Sequence, residues 1–210
     1  MEGNVYKTLR IGSQVWTIEN YRATHYNDGN PIMIDTITTR WAYARTDKCC
    51  FYENVTDSDS VALYGALYNW FAASKENFAP EGWHVSTEED WLELERYLIE
   101  KGYSWENNFE KNNKIAIALA LIDGWVIKES LGCIGNDPEL ENKCGFSARS
   151  VGYRHADGSY FARGYETYWW TTTSYDTDRA YGKGLYNWTD TLARFAFVKS
   201  QGKSVRLVKN

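Results

Sequence analysis

Long hydrophobic runs are missing from this 210-residue chain. The longest apolar run, IAIALALI at 115–122, falls well short of the roughly 20 residues that a membrane-spanning helix needs. The opening MEGNVYKTLR also has no apolar segment of the signal-peptide type. We therefore expect no membrane insertion. On this evidence the protein is intracellular or carried on a particle, or Met1 is a start added to a domain whose leader was removed.

The chain also lacks any cluster of basic residues. Its 23 Lys and Arg are outnumbered by 28 Asp and Glu, which leaves a net charge of −5. No Lys/Arg stretch could follow a phosphate backbone. Nucleic acid is therefore not an expected partner.

Cysteine and histidine are scarce. Neither Cys49 with Cys50 nor Cys133 with Cys144 has CxxC spacing, and the histidines are scattered at His25, His84 and His155. These spacings fit no tetrahedral ligand pattern, so no metal site is predicted. A Cys133–Cys144 disulfide that closes the GNDPELENK loop is one prediction, and two free thiols are the alternative.

Chain length sets the expected domain organisation. A chain of 210 residues fits a single domain, 1–210, which buries roughly 70% of its unfolded surface. Such a domain can fold without help from metals or disulfides.

Aromatic residues are abundant, with 10 Trp, 16 Tyr and 8 Phe. In the last fifth of the chain, β-prone runs alternate with turn-forming pieces: YWWTTTS, LARFAFVKS and SVRLVK with YDTD, YGKG and SQGK. This pattern predicts antiparallel strands joined by hairpins. Aromatic rings among Ser, Thr, Asp and Asn also resemble the composition of a binding surface.

The earlier part of the chain adds helices. Residues 3–18 predict a hairpin around Gly12 and Ser13, and PIMIDT predicts a further strand. DSDS predicts the start of a helix over 61–74. A capping box of Ser86 and Glu89 predicts a second helix that ends at Gly102, with a buried stripe of Trp91, Leu94 and Leu98. IAIALALIDGW has the length of a short helix or a buried strand, and we favour the helix. Helices early and strands late indicate an α+β fold.

Eight motifs occur in the order seen in one bacterial family: VYKTLRIGSQVW, LYGALYNWFAA, PEGWHVSTEEDW, GNDP, GFSARSVGYR, DGSYF, YWWTTT and GKSVRLVKN. Nearly the whole chain therefore resembles the Fibrobacter succinogenes major paralogous domain family. Many members carry a cysteine before the PxGWH motif and another in an SVRC motif. Here Ala79 and Leu207 occupy those positions, and an Ala/Leu contact is expected to fill the space with apolar packing.

The resemblance implies a C-type-lectin-like fold. Two helices would flank a twisted antiparallel sheet, with the N- and C-terminal strands paired and GNVYKT beside SVRLVK. Loops between Thr171 and Val198 would form the ligand-facing surface. Members typically occur on secreted or surface proteins, which implies an extracellular location for this chain and a trimmed leader.

The expected function is non-catalytic binding of a glycan or a surface protein. Aromatic faces suit sugar C–H surfaces, and carboxylates, amides and guanidinium groups suit hydroxyls. Adjacent strand residues face opposite sides, so one of two neighbouring tryptophans is expected in the core and the other outside or under a loop. The predicted ligand-binding residues are Trp169, Trp170, Tyr175, Asp176, Asp178, Arg179, Tyr181, Tyr186, Asn187, Trp188, Asp190 and Arg194.

No cofactor is predicted. Asp176, Asp178, Asn187 and Asp190 could supply the oxygens that calcium prefers. However, the EPN, QPD and WND motifs of calcium-dependent lectins are absent, and Asp and Asn are common near turns.

Three further hypotheses are open. Some family members resemble the variable proteins of diversity-generating retroelements, and residues 174–197 have that texture of scattered Tyr, Asp, Asn and Thr. The STEEDW helix start resembles that of formylglycine-generating oxidases, but their reactive cysteine pair has no counterpart here, and fold alone does not establish chemistry. A structural role in a surface fibre or virion is the remaining alternative.

Overall fold

The computed structural model describes residues 3–105, 114–130 and 132–210. The fold is mixed α/β, with several antiparallel sheets and few helices. The strands are β1 Thr8–Ile11, β2 Gln14–Thr17, β3 Cys49–Cys50, β4 Leu67–Tyr68, β5 Trp83–Val85, β6 Tyr153–Arg154, β7 Tyr160–Phe161, β8 Glu166–Ser174, β9 Arg179–Tyr186, β10 Ala193–Val198 and β11 Leu207–Lys209. The helices are α1 Thr38–Trp41, α2 Ser58–Tyr64, α3 Trp70–Ala73, α4 Glu88–Glu100 and α5 Ala116–Leu119, with a 3₁₀ turn at Tyr52–Asn54.

One sheet joins the two ends of the chain in the order β1-β2-β11-β5. The predicted opening hairpin is confirmed, because β1 pairs with β2 across Gly12 and Ser13. Val208 lies opposite Trp16 of β2 and His84 of β5. The expectation that GNVYKT lies beside SVRLVK is wrong, because β2 occupies that place and β1 forms the outer edge.

The C-terminal sheet has the order β10-β9-β8, and β8 lies between two apolar cores. Trp169 packs beside Trp91 of α4 and Phe146, with ring centroids 5.5 and 5.6 Å away. Trp170 points to the other side, where its Nε1 donates to the Tyr68 carbonyl oxygen at 2.8 Å. Both tryptophans are fully buried. The prediction that one of them faces outward or lies under a loop is therefore wrong, because protein covers both faces of β8.

Helix α4 is the longest of the described helices. Its predicted buried stripe of Trp91, Leu94 and Leu98 is confirmed. The capping box is one residue later than predicted: the Thr87 hydroxyl accepts from the Asp90 N–H, and the Asp90 carboxylate accepts from the Thr87 N–H. The Ser86 hydroxyl instead accepts a hydrogen bond from the Trp91 indole at 2.9 Å.

The single helix predicted over 61–74 is two short helices, α2 and α3, with β4 between them. Asp57 caps α2 as the DSDS signal indicates. The helix then ends at Tyr64, because the next residue, Gly65, has φ 76°, a conformation that residues with a Cβ rarely adopt. A Cβ at Gly65 would also lie 2.5 Å from the Cβ of Asn20. Close packing against Asn20 therefore overrides the helical periodicity.

Some of the remaining predictions are confirmed and others are wrong. The short helix after 115 is confirmed as α5, and YDTD and SQGK form turns. PIMIDT forms isolated bridges, including Ile34 with Cys49, and no regular strand. YGKG lies inside β9, so its prediction as a turn is wrong. Ala79 and Leu207 belong to the same apolar cluster. In the described parts of the chain, no helix combines the length and the apolar character needed to span a bilayer.

The close approach at Gly65 leads to a stability prediction. We expect Gly65→Ala to lower the free energy of unfolding by at least about 2 kcal/mol, because the new Cβ meets both backbone strain and Asn20. Gly82→Ala is the matched control, since Gly82 has φ 78° but no atom within 4 Å of the place that a Cβ would take. The control should lose only about 1–2 kcal/mol from strain. Chemical denaturation measures both, and equal losses would contradict the packing explanation.

Candidate binding surface

The two faces of the C-terminal sheet differ in chemistry. Residues directly opposite one another in antiparallel strands share a face, so Lys183 of β9 and Arg194 of β10 lie together. Both reach α4, where Lys183 pairs with Glu95 and Arg194 with Glu88. This face therefore docks the sheet against the helix.

The opposite face carries a continuous set of rings, which we call the aromatic face. The C-terminal sheet and its β9–β10 connection contribute Tyr168, Tyr186, Trp188, Phe195 and Phe197, and the β6–β7 hairpin contributes Tyr153 and Phe161. Successive ring centroids lie 4.9–6.1 Å apart. Distances of this size are typical of favourable aromatic pairs.

Two glycines of β9 make room for these rings. A Cβ on Gly184 would lie 2.6 Å from Cδ1 of Tyr168, and one on Gly182 would lie 3.2 Å from the Phe197 ring. Both rings therefore lie against bare backbone. The glycines of YGKG serve close packing within a strand, which is the physical reason that the turn prediction was wrong.

The outer part of the aromatic face is open to solvent. Phe161 is 45% exposed, and Trp188 and Phe195 are each 43% exposed, whereas Tyr168 is buried at the centre. Connected apolar clusters with several exposed members mark interaction sites more often than scattered single residues do. The aromatic face is the candidate binding surface.

The tyrosines of the aromatic face are held neutral. The Tyr168 hydroxyl donates to the Glu166 carboxylate at 2.6 Å. Burial, reinforced by that hydrogen bond, raises the pKa of Tyr168, and burial also raises the pKa of Tyr186. The rings therefore stay uncharged at physiological pH.

A buried lysine lies beneath the aromatic face. The Lys203 side chain is fully buried, and its Nζ lies 3.5 Å from the Phe197 ring centroid and 4.2 Å from that of Tyr168. Nζ has no hydrogen-bond partner among the described residues. Burial pushes the pKa of Lys203 well below its usual range, and the Glu166 charge opposes this only in part. The aromatic face thus covers an amine whose charged form is disfavoured.

The twelve predicted ligand-binding residues do not form one surface. Trp169, Trp170 and Asn187 are fully buried, so their prediction as exposed binding residues is wrong. Asn187 directly follows β9 and faces the protein interior. Its side-chain amide donates to the Val126 carbonyl oxygen and so connects the end of β9 to the segment around Val126. Tyr186 and Trp188 are the two predicted residues that lie on the aromatic face.

A second predicted group gathers at the β8–β9 turn. Asp176 pairs with Arg179 at 2.8 Å, and the Arg179 guanidinium lies over the Tyr175 ring at 4.9 Å. Tyr175 contacts Tyr181 at 5.2 Å, and Arg194 covers Tyr181 at 3.6 Å. These exposed and half-buried side chains form a row of successive contacts, which reaches α4 through the Arg194–Glu88 ion pair.

The last two predicted residues pair with other parts of the chain. Asp178 bonds Arg45 at 2.8 Å, and Asp190 lies 3.7 Å from Lys114. Asp176 accepts the N–H groups of both Asp178 and Arg179. The aspartate oxygens considered for calcium are thus already used in ion pairs and hydrogen bonds with different partners. Within 3–105, 114–130 and 132–210, no group of three or more His, Cys, Asp or Glu could hold a metal ion.

All four cysteines are free and buried. The structure therefore contradicts a Cys133–Cys144 disulfide and agrees with the free-thiol alternative. The Cys144 thiol donates to the Ala118 carbonyl oxygen at 2.9 Å, and burial raises the pKa of Cys144 to about 12. Its sulfur is satisfied by α5 rather than by a second cysteine.

Sequence reasoning missed most of the aromatic face. Phe195 and Phe197 alternate in LARFAFVKS, and Gly182 and Gly184 alternate in YGKG. Had both runs been interpreted as paired strands, this spacing would have put the two phenylalanines on one face over bare backbone. The contributions of Tyr153 and Phe161 depend on the tertiary fold and have no local signal.

The buried lysines lead to a paired prediction. We expect Lys203→Met to raise the free energy of unfolding at pH 7 by about 1–3 kcal/mol, because an apolar chain replaces a buried amine that lacks a hydrogen-bond partner. Lys183→Met should instead lower it by about 3–5 kcal/mol, because Glu95 stays buried without its lysine. Chemical denaturation of both variants measures the contrast.

The gain from Lys203→Met should depend on pH. The folded pKa of Lys203 lies below its unfolded value, so between the two values the unfolded wild type binds more protons and wild-type stability rises with pH. The gain should therefore shrink as pH approaches the ordinary lysine pKa of about 10.4. A gain that is constant from pH 7 to 10, or a loss at pH 7, would show that Lys203 is not held uncharged by burial.

Comparison with known proteins adds the family. The family model described as Fibrobacter succinogenes major domain matches residues 9–209. No curated protein matches the chain, and no solved structure does. The match runs from Leu9 in β1 to Lys209 at the end of β11 and includes the aromatic face. The chain belongs to the Fibrobacter succinogenes major domain family.

Proposed function

We propose that this chain is a non-catalytic recognition domain that binds a partner protein through its aromatic face. The observation that carries the proposal is the continuity of seven neutral rings, of which Phe161, Trp188 and Phe195 are each more than 40% exposed. Exposed aromatic clusters supply much of the binding energy at protein interfaces, since large rings bury apolar area at low entropy cost.

Two features favour a protein over a glycan as the ligand of this surface. Phe161, Phe195 and Phe197 have no polar group with which to read sugar hydroxyls. In the described residues, β10 has β9 on one side and no strand on the other. An edge strand offers backbone N–H and C=O groups to an added strand of a partner. The apolar rings of the aromatic face and the unpaired edge of β10 together favour a polypeptide ligand.

The lectin-like arrangement and the extracellular location belong to the same proposal. The pairing of β2 with β11 and the packing of α4 against β8 support a lectin-like layout. Diversification by a retroelement would need positions that do not hold the fold. Tyr175 and Asp178 at the β8–β9 turn are exposed and meet that need, whereas Lys183 and Asn187 are buried and do not. An adjacent reverse transcriptase gene is the expected genomic sign.

The state of the thiols supports a role without catalysis. Reactive cysteines need a low pKa and access to solvent. Burial raises the pKa of Cys50 to about 11 and that of Cys144 to about 12. Cys133 is also buried, and burial raises its pKa. These thiols favour packing over oxidase chemistry.

The test uses two exposed rings of the aromatic face. A partner is first captured from a surface-protein extract, purified and titrated by surface plasmon resonance. We expect the double variant Trp188→Ala/Phe195→Ala to weaken binding by at least about 30-fold, equal to about 2 kcal/mol, because hot-spot rings are lost. Its melting temperature should fall by only a few degrees, since neither ring belongs to a buried core cluster.

Leu92→Ala is the control, because Leu92 is similarly exposed at 46% but lies on α4. It should leave the affinity unchanged. The proposal fails if no protein binds saturably, or if the double variant and the control behave alike. Binding of an array glycan that the double variant abolishes would move this surface to sugar recognition.

A further inference from the structure

The backbone of β10 alternates between its neighbour β9 and the open edge of the sheet. Across an antiparallel pair, residues that exchange backbone hydrogen bonds alternate with residues that do not. Tyr181 lies opposite Ala196, but its carbonyl oxygen accepts from the Thr171 hydroxyl of β8 at 2.9 Å. Arg179 lies opposite Val198, and its carbonyl oxygen accepts from N–H groups of the β8–β9 turn. Both carbonyls thus point away from β10.

The end of the strand pair shows which residues of β10 face outward. The Lys199 N–H donates to the Asp178 carbonyl oxygen at 2.8 Å, so this is a hydrogen-bonded pair. The odd-numbered residues of β10 therefore bond β9, and the backbone groups of Arg194 and Ala196 point to the outer edge. Among the described residues, no strand or turn hydrogen-bonds to these outward groups.

The side chains along this edge alternate between two chemistries. Phe195 and Phe197 belong to the aromatic face, and Phe195 is 43% exposed. Arg194 lies on the opposite face, where its guanidinium covers the Tyr181 ring at 3.6 Å. A strand added beside β10 would alternate in the same way, because successive side chains point to opposite faces. Its residues next to the two phenylalanines would meet rings, and the residue next to Arg194 would meet a cation.

The first charge that such a strand meets is positive. Arg194 is the only charged residue of β10, and the strand has neither a proline nor a bulge to prevent pairing. The Arg194 side chain is 49% exposed, whereas the side chain of its partner Glu88 is 8% exposed. A ligand at the edge therefore meets the guanidinium before the carboxylate. Opposite charges across a strand pair are favourable, and like charges are unfavourable.

We propose that β10 receives an extended segment of the partner as an added antiparallel strand, with apolar residues over the aromatic face and an acidic residue opposite Arg194. This inference rests on the proposed function of the aromatic face and names the class of ligand: a polypeptide segment in which apolar and acidic residues alternate. Backbone hydrogen bonds to Arg194 and Ala196 supply affinity, and the two sets of side chains supply specificity. Antiparallel pairing is slightly more stable per residue than parallel pairing.

The test uses ¹H–¹⁵N NMR of the whole domain and short peptide probes. The acidic probe is acetyl-TVEFEVT-amide, and the lysine probe acetyl-TVKFKVT-amide reverses its charge. In the free domain, the amides of Arg194 and Ala196 should exchange with solvent faster than those of Phe195 and Phe197. We expect the acidic probe to bind saturably and to slow exchange at Arg194 and Ala196 at least about tenfold. The lysine probe should bind roughly fivefold more weakly or worse, because it brings a like charge to Arg194.

Methyl groups on the backbone of the acidic probe test the hydrogen bonds directly. In the proposed register the N–H groups of its glutamates point at β10, and the N–H of its phenylalanine points away. N-methylation of both glutamates should weaken binding at least about tenfold, because two backbone hydrogen bonds are lost. N-methylation of the phenylalanine is the matched control and should change the affinity less than about threefold, because no hydrogen bond to β10 is lost.

Variants of the chain locate the edge. Ala196→Pro removes the outward N–H, and edge strands accept proline at such positions. It should weaken binding of the acidic probe at least about tenfold. Ala196→Gly keeps the N–H and should bind within about threefold of the wild type. If Ala196→Pro does not fold, the methylated probes decide the question with the unaltered domain.

Several results would overturn the added strand. These are no saturable binding of the acidic probe, equal affinities for the acidic and lysine probes, or a loss on methylating the phenylalanine that equals or exceeds the loss on methylating the glutamates.

The captured partner separates this inference from the proposed function. A partner whose affinity falls in Trp188→Ala/Phe195→Ala but not in Ala196→Pro binds the aromatic face without an added strand, which overturns the inference alone. A partner that the double variant binds as tightly as the wild type does contradicts the proposed function itself.

Discussion

A single buried amide, that of Asn20, joins three parts of this fold. Its Oδ1 accepts from Nε1 of Trp169 at 2.9 Å and from Nε of Arg206 at 2.8 Å, and its Nδ2 donates to the Tyr64 carbonyl oxygen at 3.0 Å. Trp169 belongs to β8, Arg206 immediately precedes β11, and Tyr64 ends α2. Each partner is a polar group that would be costly to bury unsatisfied. The relative placement of the two main sheets therefore depends on this junction.

The aromatic face follows from that placement. With Trp169 bonded to Asn20, β8 must turn Trp170 to the opposite side, where it bonds the Tyr68 carbonyl and packs 6.1 Å from Phe197. Trp170 is buried and packs against Phe197 of the aromatic face. Gly182 and Gly184 of β9 leave room for further rings to lie on the sheet. The rings of the aromatic face that remain most exposed are Phe161, Trp188 and Phe195. The same arrangement of strands therefore determines both the internal packing and which rings are exposed.

Sequence reasoning predicted the parts of the fold with strong local signals. The opening hairpin, the stripe of Trp91, Leu94 and Leu98, and the late antiparallel strands all have periodicity or turn residues of their own. It was wrong at YGKG, because the sequence alone does not distinguish a glycine that makes room for a ring within a strand from a glycine that forms a turn. It was also wrong for Trp169 and Trp170, because alternation shows that two residues face opposite sides but not whether each side is covered. Tyr153 and Phe161 reach the aromatic face only through contacts between distant segments.

The rings of the core continue into the proposed recognition surface. Tyr21 lies 6.0 Å from Tyr68, and the Tyr68 carbonyl accepts from Trp170 beneath the aromatic face. Such close-packed rings have little freedom to move, so the aromatic face exists before a ligand arrives. Binding there then needs little further ordering of the protein, and more of the contact energy remains as affinity. A rigid aromatic core thus accounts for stability and for readiness to bind by the same contacts.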